Sequence, residues 1–273
     1  MILREIKSVL KDIAIQLKNV TSIPQKEAML LLCEVLKKEM SWLVAHENDS
    51  VELDKQFFDL VERRKNHEPL EYILGRAIFY GEEFLVDARV LIPRPETEIL
   101  VDKVVELAHS IENPHIVEIG CGSGIISIML ALLLPKAQIT AIDISQEALH
   151  VSQLNAQKFG VSQRINFVLG SYLAGIESKI DLIVSNPPYI ANDEVLAIGL
   201  SYEPSLALYG GSRGDEMLRE IIDLYIAKKV GVLVCEMGYD QRESLSQYVY
   251  EKGLEIVFYK DLADLDRGFW IKG

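Results

Sequence analysis

A stiff tetrapeptide in the sequence carries residue types that suit the binding of a planar amino group. It consists of Asn186, Pro187, Pro188 and Tyr189, called here the Asn-Pro-Pro-Tyr corner, and it follows the apolar run 182–184. Each proline fixes its own φ and restricts the residue before it, so the segment projects its polar groups at a defined point. The Asn186 side-chain oxygen and the Pro187 carbonyl are two acceptors that could together hold both N–H bonds of an NH₂ group.

The chemistry that such a pair of acceptors favours is transfer of a methyl group to the bound nitrogen. An amide or ring NH₂ is a poor nucleophile because its lone pair is delocalised, as in a peptide bond. Holding both N–H bonds aims the nitrogen at a methyl donor and increases its electron density, and the proton becomes acidic as the new N–C bond forms. Such positioning can contribute up to roughly 7–11 kcal/mol. Taken alone, the segment could also be a rigid turn without a ligand.

A second segment, called here the glycine turn, predicts a binding site for a nucleoside. Gly120, Gly122 and Gly124 alternate with Cys121 and Ser123 between two apolar runs. Alternating glycines permit positive φ and close approach of a ligand, and a helix that follows them directs free N–H groups at it. The spacing differs from the Gly-x-Gly-x-x-Gly of nicotinamide and flavin proteins. S-adenosylmethionine, a nucleoside with a charged amino-acid tail, fits it better, although a turn without a ligand stays open.

A carboxylate at the end of the next predicted strand strengthens this interpretation. Asp143 follows the apolar run 139–142. In doubly wound sheets, an acidic residue about 20 positions beyond the glycines reaches the ribose hydroxyls. The glycine turn and Asp143 together therefore predict one nucleoside site.

The elements that would position these residues change character along the chain. Residues 93–273 alternate apolar strands with helices, which predicts an α/β fold with a doubly wound, mostly parallel sheet. Residues 1–75 carry apolar side chains at helical spacing from Leu3 onward, which predicts a small bundle of three or four helices. In residues 76–92, short apolar runs on either side of a glycine predict a β-hairpin that links the two domains.

Composition narrows the classes of function. Of 273 residues, 49% are hydrophobic and 25% are charged, which is typical of a globular protein. The 28 basic against 41 acidic residues give a net charge of −13, which disfavours a nucleic-acid partner. Neither the three cysteines nor the five histidines show metal-ligand spacing, so no metal is expected. No apolar run approaches the roughly 20 residues of a membrane span, and the first residues do not resemble a signal peptide. We therefore expect a cytoplasmic protein without membrane contact.

The glycine turn and the Asn-Pro-Pro-Tyr corner together resemble class I S-adenosylmethionine-dependent methyltransferases that act on planar amino groups. Three further segments, residues 90–98, 202–208 and 236–241, are similar to the peptide chain release factor N5-glutamine methyltransferases of the PrmC/HemK type. The corner is shared with DNA adenine and RNA guanine methyltransferases, whereas the proline-arginine segment 90–98 is much more specific. The resemblance covers most of the chain and is weakest over residues 1–65.

This resemblance implies a fold, a reaction and a partner. The fold would be a seven-stranded sheet with its last strand antiparallel, and residues 1–75 would help to bind a release factor. The methyl acceptor would be the side-chain amide of the glutamine in the Gly-Gly-Gln motif of that factor. No direct nucleic-acid contact is implied, and we expect a monomer.

The resemblance also implies roles for individual residues. Asn186 and Pro187 would be catalytic, and Pro188 and Tyr189 would complete the glutamine site. The residues expected at the cofactor are Gly120, Cys121, Gly122, Ser123, Gly124, Asp143, Tyr172 and Asn186. Tyr172 would pack near adenine, but Ser171 stands where the family usually has an aspartate. Arg94, Glu96 and Thr97 either border the cofactor or only begin a helix.

Two other functions stay open at this stage. One is an amino-methyltransferase acting on a nucleic-acid base, which would have to extrude the base and neutralise phosphates. The net charge argues against it. The other is a non-catalytic subunit that binds S-adenosylmethionine, and the intact Asn-Pro-Pro-Tyr corner argues against that function.

Overall fold

The computed structural model describes residues 2–273, and the chain forms two compact units. The first unit extends to Arg76 and also includes Ala197–Tyr202. The second consists of Ala77–Leu196 and Glu203–Gly273. Most of the segment expected to link two domains thus belongs to the second unit.

The first unit combines helices with a short antiparallel sheet. Its elements are β1 (Ile2–Glu5), α1 (Ile6–Leu17), α2 (Pro24–Leu36), α3 (Met40–Ala45), β2 (Ser50–Leu53), α4 (Lys55–Lys65) and α5 (Leu70–Leu74). The predicted helical bundle is confirmed, but the β1–β2 pair was not predicted. Leu3 was expected on a helix face and instead lies exposed in β1, where it pairs with Glu52.

Side chains from three of these helices form the core of the first unit. Ile6, Val9 and Leu17 of α1 pack with Leu31 of α2 and Phe57 of α4, and all five are fully buried. Within the same unit, the Tyr202 hydroxyl donates to the Asn66 carbonyl at 2.7 Å, which fastens the separate segment Ala197–Tyr202 to the end of α4.

The second unit is built on a hairpin and an α/β alternation. Its elements are β3 (Arg76–Phe79), β4 (Glu82–Leu85), α6 (Thr97–Ala108), β5 (His115–Ile119), α7 (Ile125–Leu133), β6 (Gln138–Asp143), α8 (Gln146–Lys158), β7 (Ile165–Leu169), β8 (Leu182–Ser185), β9 (Ile190–Ala191), β10 (Tyr209–Gly211), α9 (Glu216–Ala227), β11 (Val232–Glu236), α10 (Arg242–Glu251), β12 (Val257–Lys260) and β13 (Asp266–Lys272). Phe79 and Phe84 of the hairpin are fully buried in the core of this unit, which explains why the hairpin groups with it.

Seven strands of the second unit form one sheet in the order β12-β13-β11-β8-β5-β6-β7. Strand β13 is antiparallel to both neighbours, whereas β11, β8, β5, β6 and β7 are parallel. This confirms the predicted sheet. Because β6 and β8 flank β5 on opposite sides, the chain reverses direction across the sheet at β5, where ligands bind in such folds.

Helices cover both faces of this sheet, as continuous apolar strands require. Ile116 and Leu182 pack with α6, α7 and α8 on one face, and Val117 and Ile183 pack with α9 and α10 on the other. The carboxyl ends of β5, β6 and β8 are thereby fixed side by side. None of the helices described combines the length and the apolar content that crossing a membrane requires.

Candidate active site

The glycine turn leaves β5 in a conformation that side chains resist. Gly120, Gly122 and Gly124 have φ values of 75°, 53° and 83°. At Gly124, which begins α7, a Cβ atom would also collide with the Ser152 side chain. Asp143 holds the turn from the end of β6, since its Oδ2 accepts a hydrogen bond from the Gly122 N–H at 2.8 Å.

A buried carboxylate stands behind the glycine turn. One oxygen of Glu118, Oε2, accepts hydrogen bonds from the Ser127 backbone at 2.9 Å and from the Ser127 hydroxyl. The other oxygen, Oε1, is buried and has no partner among the described residues. Burial raises the pKa of Glu118 to about 8, with a smaller contribution from Asp143, while Ser127 lowers it. A buried acceptor without a donor suits a ligand that brings an ammonium group.

The carboxyl ends of β5, β6 and β8 surround a cavity. Of the residues expected at the cofactor, those that line it are Gly120, Cys121, Gly122, Ser123, Asp143, Tyr172 and Asn186. Gly124 does not line the cavity and instead packs against α8. Arg94, Thr97 and Ser171 are lining residues, whereas Glu96 is not.

Two lining side chains have altered acidity. Burial raises the pKa of the Cys121 thiol well above its ordinary value, with the charges of Glu118 and Asp143 adding to the effect, so this cysteine is a neutral packing group. Burial also raises the pKa of Tyr172 to about 12, and the neighbouring Glu220 contributes. Tyr172 therefore offers the cavity a neutral ring, as expected of a residue that packs beside a base.

The Asn-Pro-Pro-Tyr corner leaves β8 on the other side of the cavity. Asn186 and Pro188 line the cavity, whereas Pro187 is buried and Tyr189 is half-buried, and neither is a lining residue. The Asn186 Nδ2 donates to the Thr97 hydroxyl at 3.1 Å. Within residues 2–273, neither the Asn186 Oδ1 nor the Pro187 carbonyl accepts a hydrogen bond. The predicted acceptor on Asn186 thus faces the cavity and is available to a ligand, whereas the Pro187 carbonyl has no hydrogen-bond partner but belongs to a residue that does not line the cavity.

Contacts from distant segments fix the far end of the corner. The Tyr189 carbonyl accepts a hydrogen bond from the Gln241 Nε2 at 3.0 Å, and the Gln241 Oε1 accepts one from the Gly238 N–H at 3.0 Å. A Cβ at Gly214 would collide with the Tyr189 carbonyl, and one at Gly210 with the carbonyl before it. Both glycines are therefore packed against the corner.

Two segments that carried the family resemblance meet at one buried acid. The Glu203 carboxylate accepts a hydrogen bond from the Ile92 N–H at 2.9 Å and forms an ion pair with the Arg94 guanidinium at 2.6 Å. Arg94 thus lines the cavity in a fixed position. Sequence reasoning missed the roles of Glu118 and Glu203, although a lone acid inside an apolar segment, as at Glu118, is a usable signal.

Family models match both parts of the chain. A PrmC N-terminal domain matches residues 8–75, and a methyltransferase small domain matches residues 95–199. The release factor glutamine methyltransferase of Bordetella pertussis is 36% identical over 90% of this chain and 93% of its own. That of Buchnera aphidicola subsp. Baizongia pistaciae is 32% identical over 96% and 97%.

Other relatives are longer. A bifunctional methyltransferase of Rickettsia conorii is 36% identical over 96% of this chain, which spans about half the length of that relative, 56%. Among solved structures, the hMettl16 catalytic domain in complex with MAT2A 3′UTR hairpin 6 has a TM-score of 0.59 at 13% identity, covering 82% of this chain and 84% of its own. That likeness concerns the fold alone.

Proposed function

Because this chain belongs to the release factor glutamine methyltransferase family, we propose that it methylates the side-chain amide nitrogen, N5, of the glutamine in the Gly-Gly-Gln motif of a peptide chain release factor. The methyl donor of this family and fold is S-adenosylmethionine. The observation that carries the proposal is the Asn186 amide, whose NH₂ is engaged by Thr97 while its oxygen is free beside the cavity.

The cofactor site is assigned to the residues around the glycine turn. When bound, S-adenosylmethionine supplies an electrophilic methyl group on a sulfonium. Gly120 and Gly122 leave room for close approach, and Asp143 keeps lone pairs for ribose hydroxyls beyond the bonds that it accepts from the Gly122 and Ser145 N–H groups. The unpaired Glu118 Oε1 suits the ammonium of the amino-acid end, and Tyr172 suits adenine.

The corner accounts for the activation of the acceptor nitrogen. The Asn186 Oδ1 and the Pro187 carbonyl accept the two N–H bonds of the glutamine amide, which fixes the nitrogen and increases its electron density. With S-adenosylmethionine bound, its methyl group would pass from sulfur to this nitrogen, and the nitrogen would release one proton to solvent. No strong base is needed before attack, since the two acceptors already stabilise the developing positive charge on the N–H groups.

The remaining assignments concern organisation and partner. Residues 1–75 are proposed to recognise the release factor, residues 76–92 to link this part with the methyltransferase domain, and residues 93–273 to carry the reaction. The enzyme is proposed to work as a monomer in the cytoplasm, without direct contact with nucleic acid. The excess of acidic residues over the whole chain supports a protein substrate over a phosphate backbone.

Mass spectrometry of a treated release factor tests the proposal. The purified factor is incubated with the full chain and S-adenosylmethionine, and one added methyl group is expected on the Gly-Gly-Gln glutamine. A factor with that glutamine replaced by asparagine is the matched control and should stay unmodified. Duplex DNA and structured RNA are offered in parallel with labelled cofactor. Label in nucleic acid and none in the release factor would contradict the proposal.

A further inference from the structure

We propose that Thr97 and Glu236 are positioning residues that dictate which end of the Asn186 side-chain amide faces the substrate. This inference rests on the proposed function for its consequence in catalysis. Its physical content, a fixed amide orientation, is a property of the chain itself and is measurable without turnover.

A continuous chain of hydrogen bonds connects the three residues. The Asn186 Nδ2 donates to the Thr97 Oγ1 at 3.1 Å, and the Thr97 hydroxyl donates to the Glu236 Oε2 at 2.7 Å. Thr97 is fully buried and Glu236 is 1% exposed, so bulk water does not compete for these bonds. The residues come from α6, β11 and the end of β8, which are held together by the core of the second unit.

Each bond in this chain has its direction set by the next group. An ionised Glu236 can only accept hydrogen bonds, so the Thr97 proton must point at it. The Thr97 oxygen then has only lone pairs to offer, so Asn186 must present its NH₂ to Thr97. The Asn186 oxygen is left facing away from Thr97, as an acceptor for the substrate.

The opposite orientation would oppose the reaction. With the amide rotated by 180°, Asn186 would direct its own N–H groups towards the N–H groups of the glutamine amide. Donor would then face donor, and the acceptor nitrogen would lose one of its two hydrogen bonds. An asparagine at the corner is therefore not sufficient. Thr97 and Glu236 must also fix which end of its side-chain amide faces the substrate.

The protonation state of Glu236 makes the orientation of the Asn186 side-chain amide sensitive to pH. Burial raises the pKa of Glu236 to about 7, although the Thr97 hydrogen bond and the Arg267 charge lower it. The titratable and charged groups around Glu236 are Arg94, Glu96, Tyr189, Tyr259 and Arg267. A protonated Glu236 can donate to Thr97, which frees the Thr97 proton for the Asn186 oxygen and permits the unproductive orientation. We expect kcat to fall as the pH decreases through about 7.

Isosteric variants separate the hydroxyl from the bulk of Thr97. Thr97→Val keeps the shape and removes the hydroxyl, and kcat should fall about 100-fold because the acceptor is no longer aimed. The KM for S-adenosylmethionine should stay within about twofold. Thr97→Ser keeps the hydroxyl and should restore most of kcat. If Thr97→Val turned over like the wild type, the positioning role would be wrong.

Glu236→Gln provides a second test that does not depend on the first variant folding. A glutamine can both donate to and accept from Thr97 at any pH. The orientation of the Asn186 amide then no longer depends on the protonation state of residue 236. The acid limb of the kcat profile near pH 7 should disappear, and kcat should be reduced about tenfold on the plateau, roughly the loss of one aimed hydrogen bond. An unchanged acid limb in this variant would overturn the inference.

A spectroscopic measurement distinguishes failure of this inference from failure of the proposed function. In ¹⁵N-labelled full-length protein, the Asn186 side-chain NH₂ signals are identified by their loss in Asn186→Ala. They should shift in Thr97→Val and return close to their wild-type position in Thr97→Ser. If they shift as expected while no release factor is methylated, the proposed function fails and the orientation mechanism stands. If they do not move in Thr97→Val, the orientation mechanism fails, whatever the activity.

Discussion

The glycine turn and the Asn-Pro-Pro-Tyr corner end neighbouring parallel strands, yet they are held in place by different means. The hydrogen bonds that fix the turn join residues 9, 21 and 32 positions apart, at Glu118–Ser127, Gly122–Asp143 and Ser123–Asn155. Those that fix the corner span 89 and 52 positions, from Asn186 to Thr97 and from Tyr189 to Gln241. The turn therefore depends on the continuous stretch from β5 to α8, whereas the corner depends on the assembled second unit. Substitutions at residues distant in sequence from the site should therefore disturb binding of the methyl acceptor at the corner more readily than binding of the cofactor at the glycine turn.

Removing the Asn186 side chain should give the largest effect. Asn186→Ala deletes the acceptor that holds one N–H bond, and kcat should fall roughly 100- to 1000-fold, as for loss of one preorganised group at a developing charge. S-adenosylmethionine affinity, measured by calorimetry, should change little. Asn192→Ala, an exposed asparagine six residues further on, is the control and should leave both quantities unchanged. Equal losses of affinity and rate in Asn186→Ala would mean that the two regions are not separable.

Glu118→Gln should affect the opposite side of the site. The variant cannot ionise, so above pH 8, where Glu118 carries a charge, S-adenosylmethionine affinity should fall roughly 10- to 100-fold, as for the loss of a hydrogen bond between charged groups. The rate at saturating cofactor should be much less affected. Calorimetric titration against single-turnover rates makes the comparison, and unchanged affinity would remove Glu118 from the cofactor site.

The stability of the same variant should depend on pH in a defined direction. The pKa of Glu118 is about 8 in the folded protein and near 4.5 when unfolded, so the folded state binds more protons between these values. The free energy of unfolding contributed by this group therefore decreases as the pH rises from 4.5 to 8. Without cofactor, Glu118→Gln should be more stable than the wild type at pH 9 and close to it at pH 4.5. Urea unfolding at both pH values measures this, and a stability difference independent of pH would contradict it.

Gly124→Ala should destabilise the glycine turn by about 2–3 kcal/mol. The cost combines left-handed strain at φ 83° with a collision with Ser152. Gly160→Ala is the matched control, because Gly160 has φ 69° and open space around it, so only strain remains, about 1–2 kcal/mol. Equal losses in the two variants would show that the packing against Ser152 is relieved without cost.

Gln241→Ala should have the smallest effect of the set. It removes the hydrogen bond to the Tyr189 carbonyl and the one from the Gly238 N–H, so the KM for the release factor should rise about 2- to 10-fold with cofactor affinity unchanged. Steady-state kinetics with a purified factor measure this. A large loss of cofactor binding instead would mean that the corner supports the glycine turn as well.

The same contrast explains what could be predicted from the sequence. The mostly parallel sheet and the positive φ angles of the glycine turn were predicted correctly because their signals are local, in apolar runs and in glycine spacing, whereas the number of seven strands was implied by the family resemblance. The segment Asn186 to Tyr189 was singled out by its two prolines. The residues that hold this segment in place were not predicted. Thr97 also has the signature of a helix start, and nothing in its neighbourhood indicates a partner 139 positions away at Glu236.

Other differences also have local physical causes. The helix signal that begins at Leu3 continues the spacing of α1, but backbone pairing with β2 takes the first residues into a strand. The first unit recruits Ala197–Tyr202 through tertiary contacts that no periodicity encodes. The roles of individual site residues stay predictions until the variants are measured.

The recruitment of Ala197–Tyr202 has a consequence for dissecting the gene. The polypeptide passes between the two units at three places, after Arg76, after Leu196 and after Tyr202. An excised fragment that begins at Ala77 would keep a hexapeptide whose partner, the Asn66 carbonyl, had been deleted. Expression of the second unit alone therefore calls for a short glycine bridge in place of that hexapeptide, in addition to a new start codon.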